Sequence, residues 1–251
     1  MGSGRFRVPG VIGLDAGRAV LLMEDGWGQR AETLWCKGGS AALRAMRAGG
    51  AWLARFHGLA GRYLAFNPDP HLNWLRKTLS KDDIDRIPDL GRLQAAIPDL
   101  EALGEAARGQ PSLRCVTHRD FHLRNLIVRR NDRVYGLDFE NQRRDDAVRD
   151  QIAFLTDALR CRPGPINIDG MHAAAMSFLE AYGKPTAAPE VCRFFQLFQS
   201  LSTWAGLDES CAPLGPNRRR LLQALQAMSG PVCLLTPPPR GDRLSKRFGE
   251  I

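Results

Sequence analysis

The residues that could do chemistry gather in one stretch, His118-Arg119-Asp120-Phe121-His122-Leu123-Arg124-Asn125, with Asp138 thirteen positions further on. A carboxylate such as Asp120 can orient a hydroxyl and take its proton as the oxygen attacks. An amide oxygen and a second carboxylate, from Asn125 and Asp138, are hard ligands of the kind that hold magnesium beside phosphates. Between them, Leu126-Ile127-Val128, the turn Asn131-Asp132 and Val134-Tyr135-Gly136-Leu137 predict a hairpin, which would bring the two ligands together. His118, its ring beside the loop, suits holding backbone geometry better than reacting. Asp and Asn are ordinary loop residues, and any one pair of them would mean little. Four positions at fixed spacing, in the hairpin context the chemistry needs, mean more.

The rest of the chain must position that loop. Residues 8–14 and 19–23 read as strands joined by the turn Asp15-Ala16-Gly17-Arg18. Ser40 can cap a helix running to about Gly58, with Ala42, Met46, Gly49, Leu53 and Phe56 on one face. Pro68, Pro70, Pro88 and Pro98 chop the following region into short pieces, although Ser80-Lys81-Asp82-Asp83 looks like a helix start. Residues 113–116 form a strand ahead of the polar loop, and apolar helical patterns follow at about 148–160, 169–182, 189–205 and 217–228. No internal repeat occurs, and the basic, proline-rich tail from Pro231 should lie on the surface. Strands early and helices late predict an α+β architecture.

The 251 residues are 44% hydrophobic and 25% charged, enough for one large domain or two modest ones. The longest apolar run, Ala19 to Met23, is far too short for a bilayer, and the N-terminus has no apolar signal region. Six cysteines, the closest pair being Cys192 and Cys211, form no CxxC motif or dense disulfide framework. They read as reduced thiols of a cytoplasmic protein. Lys and Arg outnumber Asp and Glu by 35 to 27, but the arginines are scattered rather than striped. That spread argues against nucleic acid as a partner, and it suits a protein that handles phosphates.

The loop matches the kinase catalytic pattern H-R-D-x-x-x-x-N, with the metal-binding Asp on the next hairpin. With it, the chain resembles the aminoglycoside phosphotransferase and choline kinase family, which shares the protein-kinase-like fold. His122 stands where protein kinases usually have Lys, Asp138-Phe139-Glu140 replaces Asp-Phe-Gly, and no Ala-Pro-Glu segment follows. Leu21-Leu22-Met23-Glu24-Asp25 is similar to the family's interlobe hinge, and Ala51-Trp52-Leu53-Ala54-Arg55-Phe56-His57 to its next helix. Asp150 precedes an apolar helix, as is common in the family, and would serve equally as a helix N-terminal acid.

The resemblance covers about residues 8 to 230. It implies a remnant of the N-lobe and hinge over 1–27, a mainly helical C-lobe over 28–230 and a basic tail over 231–251. It also implies ATP-dependent transfer of the γ-phosphate to a hydroxyl of a small molecule of aminoglycoside, amino-alcohol or sugar type, with ATP and Mg2+ as cofactors. Asp120 would be the base and Asn125 and Asp138 the metal ligands. His118, Arg119 and His122 would support the loop, and the backbone at Met23, Glu24 and Asp25 would meet the adenine edge.

One departure stands out. In this fold a Gly-rich loop and a strand Lys precede the hinge, yet the hinge here arrives by residue 25, and the earliest Lys is Lys37. Either the start of a longer chain is missing or the protein is short. The alternative reading is therefore a non-catalytic, N-lobe-deficient protein that binds a ligand or partner. The strand pair near the N-terminus should leave an exposed edge and apolar face. Asp208 and Glu209 are the nearest acids for recognising a cationic acceptor, unless they simply mark a solvated helix end. Phe194, Phe195, Phe198 and Trp204 fall at helical spacing and read as core. His57 and His71 read as isolated helix-end or loop residues, and Arg218-Arg219-Arg220 as an exposed helix face.

Overall fold

A computed structural model describes residues 4–80, 84–139, 142–210 and 212–236. The Asp82-Asp83 helix start and the Pro237-Pro238-Pro239 stretch lie outside the described residues, as does Glu140. Three small sheets and a helical body make up the described chain. The N-terminal part contains β1 (Phe6–Arg7), β2 (Val11–Asp15), β3 (Val20–Met23) and β4 (Gln29–Arg30). The helices α1 (Ala31–Cys36) and α2 (Gly39–His57) follow. Helix α2 starts one residue before the expected Ser40 cap, because Gly38 adopts φ 73° and serves as N-cap without a side chain.

The region of scattered prolines is more regular than expected. Strand β5 (Arg62–Ala65) leads into α3 (Asp69–Leu79), α4 (Leu90–Ala95) and α5 (Ile97–Ala107). Pro70 and Pro98 occupy the first turns of α3 and α5, where the missing N–H would have no partner anyway. They start helices rather than break them.

Strand β6 (Pro111–Thr117) runs into the polar loop, and β7 (Leu126–Val128) and β8 (Val134–Gly136) form the expected hairpin. After it come β9 (Arg143–Asp146), α6 (Val148–Cys161), α7 (His172–Tyr182), α8 (Pro189–Trp204) and α9 (Pro216–Met228). The sheets explain how the loop is held. Hairpin β7–β8 is flanked on both sides, in the order β1-β8-β7-β4. Strand β1 pairs parallel with β8, Phe6 against Val134, and β4 pairs antiparallel with β7. Strand β6 is the centre of a second sheet, between β5 and β9. Both ends of the polar loop therefore emerge from paired strands.

Below the loop, α2 lies along α7 closely enough that a Cβ on Gly50 would come within 2.1 Å of the Phe178 carbonyl oxygen. A column of rings joins four elements: Phe56 and Trp52 of α2, Phe121 of the loop, Phe154 of α6 and Phe178 of α7, stacked at 5.0–5.5 Å. The expected aromatic set on α8 is core as well, with Phe194, Phe195, Phe198 and Trp204 buried. By contrast, β2 and β3 form a two-stranded ribbon that belongs to neither larger sheet. Its Val11, Ile12, Leu14, Val20, Leu21 and Leu22 are each more than half exposed. Among the described residues, no helix is long and apolar enough to cross a membrane.

Candidate active site

Asp120 sits at the turn leaving β6, and the backbone around it is strained and heavily tied. Arg119 takes φ 67° and Asp138 φ 64°, left-handed values that cost a non-glycine residue free energy. Such conformations persist only where the surroundings over-determine them. Here the surroundings are a buried carboxylate. Asp150, in the first turn of α6, accepts from the His118 N–H at 2.6 Å and the Arg119 N–H at 2.8 Å. Its Oδ2 also meets His57 Nε2 at 2.9 Å, and His57 Nδ1 meets the Tyr182 hydroxyl at 3.0 Å.

Asp150 and His57 are at most 1% exposed, so neither is a plain helix-end residue. Together they clamp the loop from below. A second acid of α6 repeats the device, Asp157 Oδ2 accepting from the Leu123 N–H at 3.0 Å. The other solitary histidine, His71, also lies against core. It packs on Phe195 and Phe198 at 4.9–5.0 Å, and burial holds its pKa at about 4.

The expected site residues come together around this clamp. Asn125 Nδ2 donates to the Asp120 carbonyl at 3.0 Å and points at Asp120 Oδ2 at 3.4 Å. That leaves its amide oxygen as a donor to a metal. Leu137 N–H donates to Asn125 O at 2.9 Å, closing the mouth of the hairpin so that Asp138 follows directly beside Asn125. An amide oxygen and a carboxylate fit magnesium, which usually keeps waters and substrate oxygens and takes only one or two protein ligands. His118 buries its ring, donates from Nε2 to Leu137 O at 2.8 Å and lies 4.9 Å from the Phe139 ring. That bond ties it to the residue before Asp138. His122 Nε2 stands 3.6 Å from Asp120 Oδ2.

The residues expected to form a hinge adjoin the same hairpin. Glu24 Oε1 accepts from the Tyr135 hydroxyl at 3.3 Å and lies 3.8 Å from the Arg7 guanidinium. The Glu24 N–H donates to Gly10 O at 2.7 Å and is therefore already engaged within the chain. Met23 ends the ribbon and Asp25 is exposed.

On the other side of Asp120 a cavity of about 390 Å³ opens between the loop, α6, α8 and the start of α9. Asp208 and Glu209 are not among its lining residues. Asp208 accepts from Ser210 at 2.6–2.8 Å, bonds that hold its carboxyl below the usual range, and lies 3.8 Å from Arg86. Glu209 accepts from the Leu214 N–H at 3.3 Å. Of the three consecutive arginines, only Arg218 reaches the cavity. Arg219 donates to Leu214 O, and Arg220 caps the end of α6 through the carbonyls of Arg160 and Gly164.

The fold has known counterparts. The choline kinase LicA from Streptococcus pneumoniae superposes with a TM-score of 0.54 at 15% identity, over 88% of this chain and 74% of that one. A choline/ethanolamine kinase family protein from Mesorhizobium loti gives 0.51 at 17% identity, over 89% and 78%. The amicoumacin kinase hAmiN gives 0.53 at 13% identity, over 90% and 74%. No curated protein matches the sequence. A family model, the phosphotransferase enzyme family, matches residues 3–195. That span takes in residues 23–25, the clamped loop, hairpin β7–β8 and the start of α8, and on it the chain belongs to the phosphotransferase enzyme family, with a protein-kinase-like fold.

Proposed function

We propose that the protein transfers the γ-phosphate of ATP to a hydroxyl of a small molecule. The observation that carries this reading is the Asn125 amide, which ties the Asp120 main chain beside a cavity while its own oxygen is left for a metal. Bound Mg-ATP supplies the phosphoryl group, the ion neutralising charge on the phosphate oxygens. Asn125 and Asp138 would hold that ion from the hairpin. Asp120, its side chain 45% exposed, would receive the acceptor hydroxyl from the cavity and take its proton. As the new O–P bond forms, the bond from phosphorus to the ADP oxygen breaks. Asp150, His57 and Asp157 take no part in transfer; they fix where Asp120 stands.

The test is ADP release from Mg-ATP with a panel of cationic, neutral and anionic hydroxyl compounds. Acceptor-dependent release that falls at least 100-fold in Asp120→Ala supports the reading, and release unaffected by Asp120→Ala ends it. The exposed ribbon favours a second reading, a non-catalytic protein that binds a ligand or partner. Millimolar Mg-ATP affinity with no ADP release for any compound would decide for it.

A further inference from the structure

The charge lining the cavity beside Asp120 is lopsided. Four arginines face it, Arg119, Arg124, Arg160 and Arg218, against two acids, Asp120 and Asp157. Part of that charge is already matched within the protein. Asp157 Oδ1 takes Arg160 at 2.5 Å while its Oδ2 serves the Leu123 N–H. Arg119 leans on Asp145 at 3.7 Å. Arg124 and Arg218 differ. Neither makes an ion pair within 4 Å or donates a side-chain hydrogen bond among the described residues. Arg218 is near enough to influence Asp208, but that carboxylate is already held by Ser210 and Arg86.

Among the described residues, two polar atoms of the lining also lack a partner, Gln199 Oε1 and His122 Nδ1, both shut off from solvent. An amide oxygen can only accept, so Gln199 calls for a hydroxyl or amine hydrogen. A buried acceptor left without one costs free energy that a bound ligand would recover.

We propose that the acceptor is a small hydroxyl compound bearing a carboxylate or phosphate, its anionic group held by Arg124 and Arg218 and one hydroxyl donating to Gln199. The proposal rests on the phosphotransferase reading and names its substrate class. Guanidinium forks match both anionic groups in geometry and charge. A polycationic acceptor would instead meet unpaired positive charge, with Asp208 and Glu209 outside the lining.

The test is titration calorimetry of the full chain, in the presence of Mg-ADP, with glycerate, glycerol 3-phosphate, glycerol and choline. Glycerate or glycerol 3-phosphate should bind at least tenfold tighter than glycerol or choline, and whichever of the two wins identifies the anionic group. Arg218→Ala and Arg124→Ala should each weaken that binding about 10- to 100-fold, the range for a lost charged hydrogen bond. Choline or glycerol binding as tightly, or anion binding indifferent to both substitutions, would overturn the proposal. ADP release measured alongside separates the two claims. Release with choline and not with the anions sinks the anionic acceptor and keeps the transferase. Anion binding that needs Arg218, without release for any compound, sinks the transferase and with it the acceptor role.

Discussion

The ribbon of β2 and β3 and the ground beneath the polar loop stand at opposite extremes of burial. In the ribbon, Leu14 is 70% exposed and Ile12 65%, and among the described residues the strands pair only with each other. Under the loop, Asp150, His118, Trp52 and Phe121 are fully buried. The contrast tracks what each region must do. Holding Arg119 and Asp138 at positive φ needs partners that leave no alternative, so carboxylates are buried where every oxygen is used. The ribbon has no covering layer, and its left-handed residue, Ala19 at φ 53°, sits in the open turn between β2 and β3, where no buried acid ties it down.

The hardest blow to that contrast is Asp150→Ala. It leaves two loop N–H groups and His57 without their acceptor, a loss of about 3–5 kcal/mol. Urea unfolding should show it, and a stability within 1 kcal/mol of the wild type would mean the clamp is incidental.

Acid should expose the same burial by another route. Burial first, and then the charge of Arg149, holds His71 at about 4 rather than 6.5. The unfolded chain therefore binds a proton that the folded one refuses. Stability from this group is complete above pH 6.5 and is lost as pH falls toward 4, by about 3 kcal/mol at most. His71→Phe should flatten thermal stability across that window; an unchanged acid limb would assign it to other groups.

A smaller effect is expected at Gly136. A Cβ there would come within 2.1 Å of the Trp52 ring, so Gly136→Ala must push the hairpin or the ring aside, at about 1–3 kcal/mol. Because Asp138 lies two residues on, Mg-ATP affinity should fall along with the melting temperature. A lower melting temperature with unchanged affinity would show that the hairpin exit absorbs the shift.

The smallest effect belongs to the ribbon. Leu14→Thr with Leu21→Thr should alter stability by no more than about 0.5 kcal/mol each and should raise solubility. A fall of several degrees in the melting temperature would mean the ribbon is covered by something in solution.

The residues proposed for catalysis could be singled out because the chemistry they suggest is local. Asp120, Asn125 and Asp138 fall within one loop and one hairpin, so spacing and turn signals suffice. The clamp was not, since His57 lies 93 residues from Asp150 and Tyr182 lies 125 from His57. Taken one at a time, a buried His and a helix-end Asp look ordinary. Proline misled in the other direction. Pro70 and Pro98 were read as breakers, but a proline in a first turn is compatible with the helix it begins. The cavity's charge was hidden for a third reason: three consecutive arginines look alike in sequence, and only packing shows which one is left unpaired.

The flanking of hairpin β7–β8 by β1 and β4 also bears on how the chain reaches this form. Phe6 pairs with Val134 and Gln29 with Val128, separations of about a hundred residues or more. Strands β1 and β4 therefore have no partner until the hairpin itself has been made. At roughly 5–20 residues per second, that is a wait of about 5–25 s during synthesis. Throughout it the strands that flank the apolar ribbon lack the partners they have in the finished fold, an interval in which a nascent chain is open to pairing with a neighbour. Slower translation past residue 30 would lengthen that exposure without altering a single contact of the finished protein.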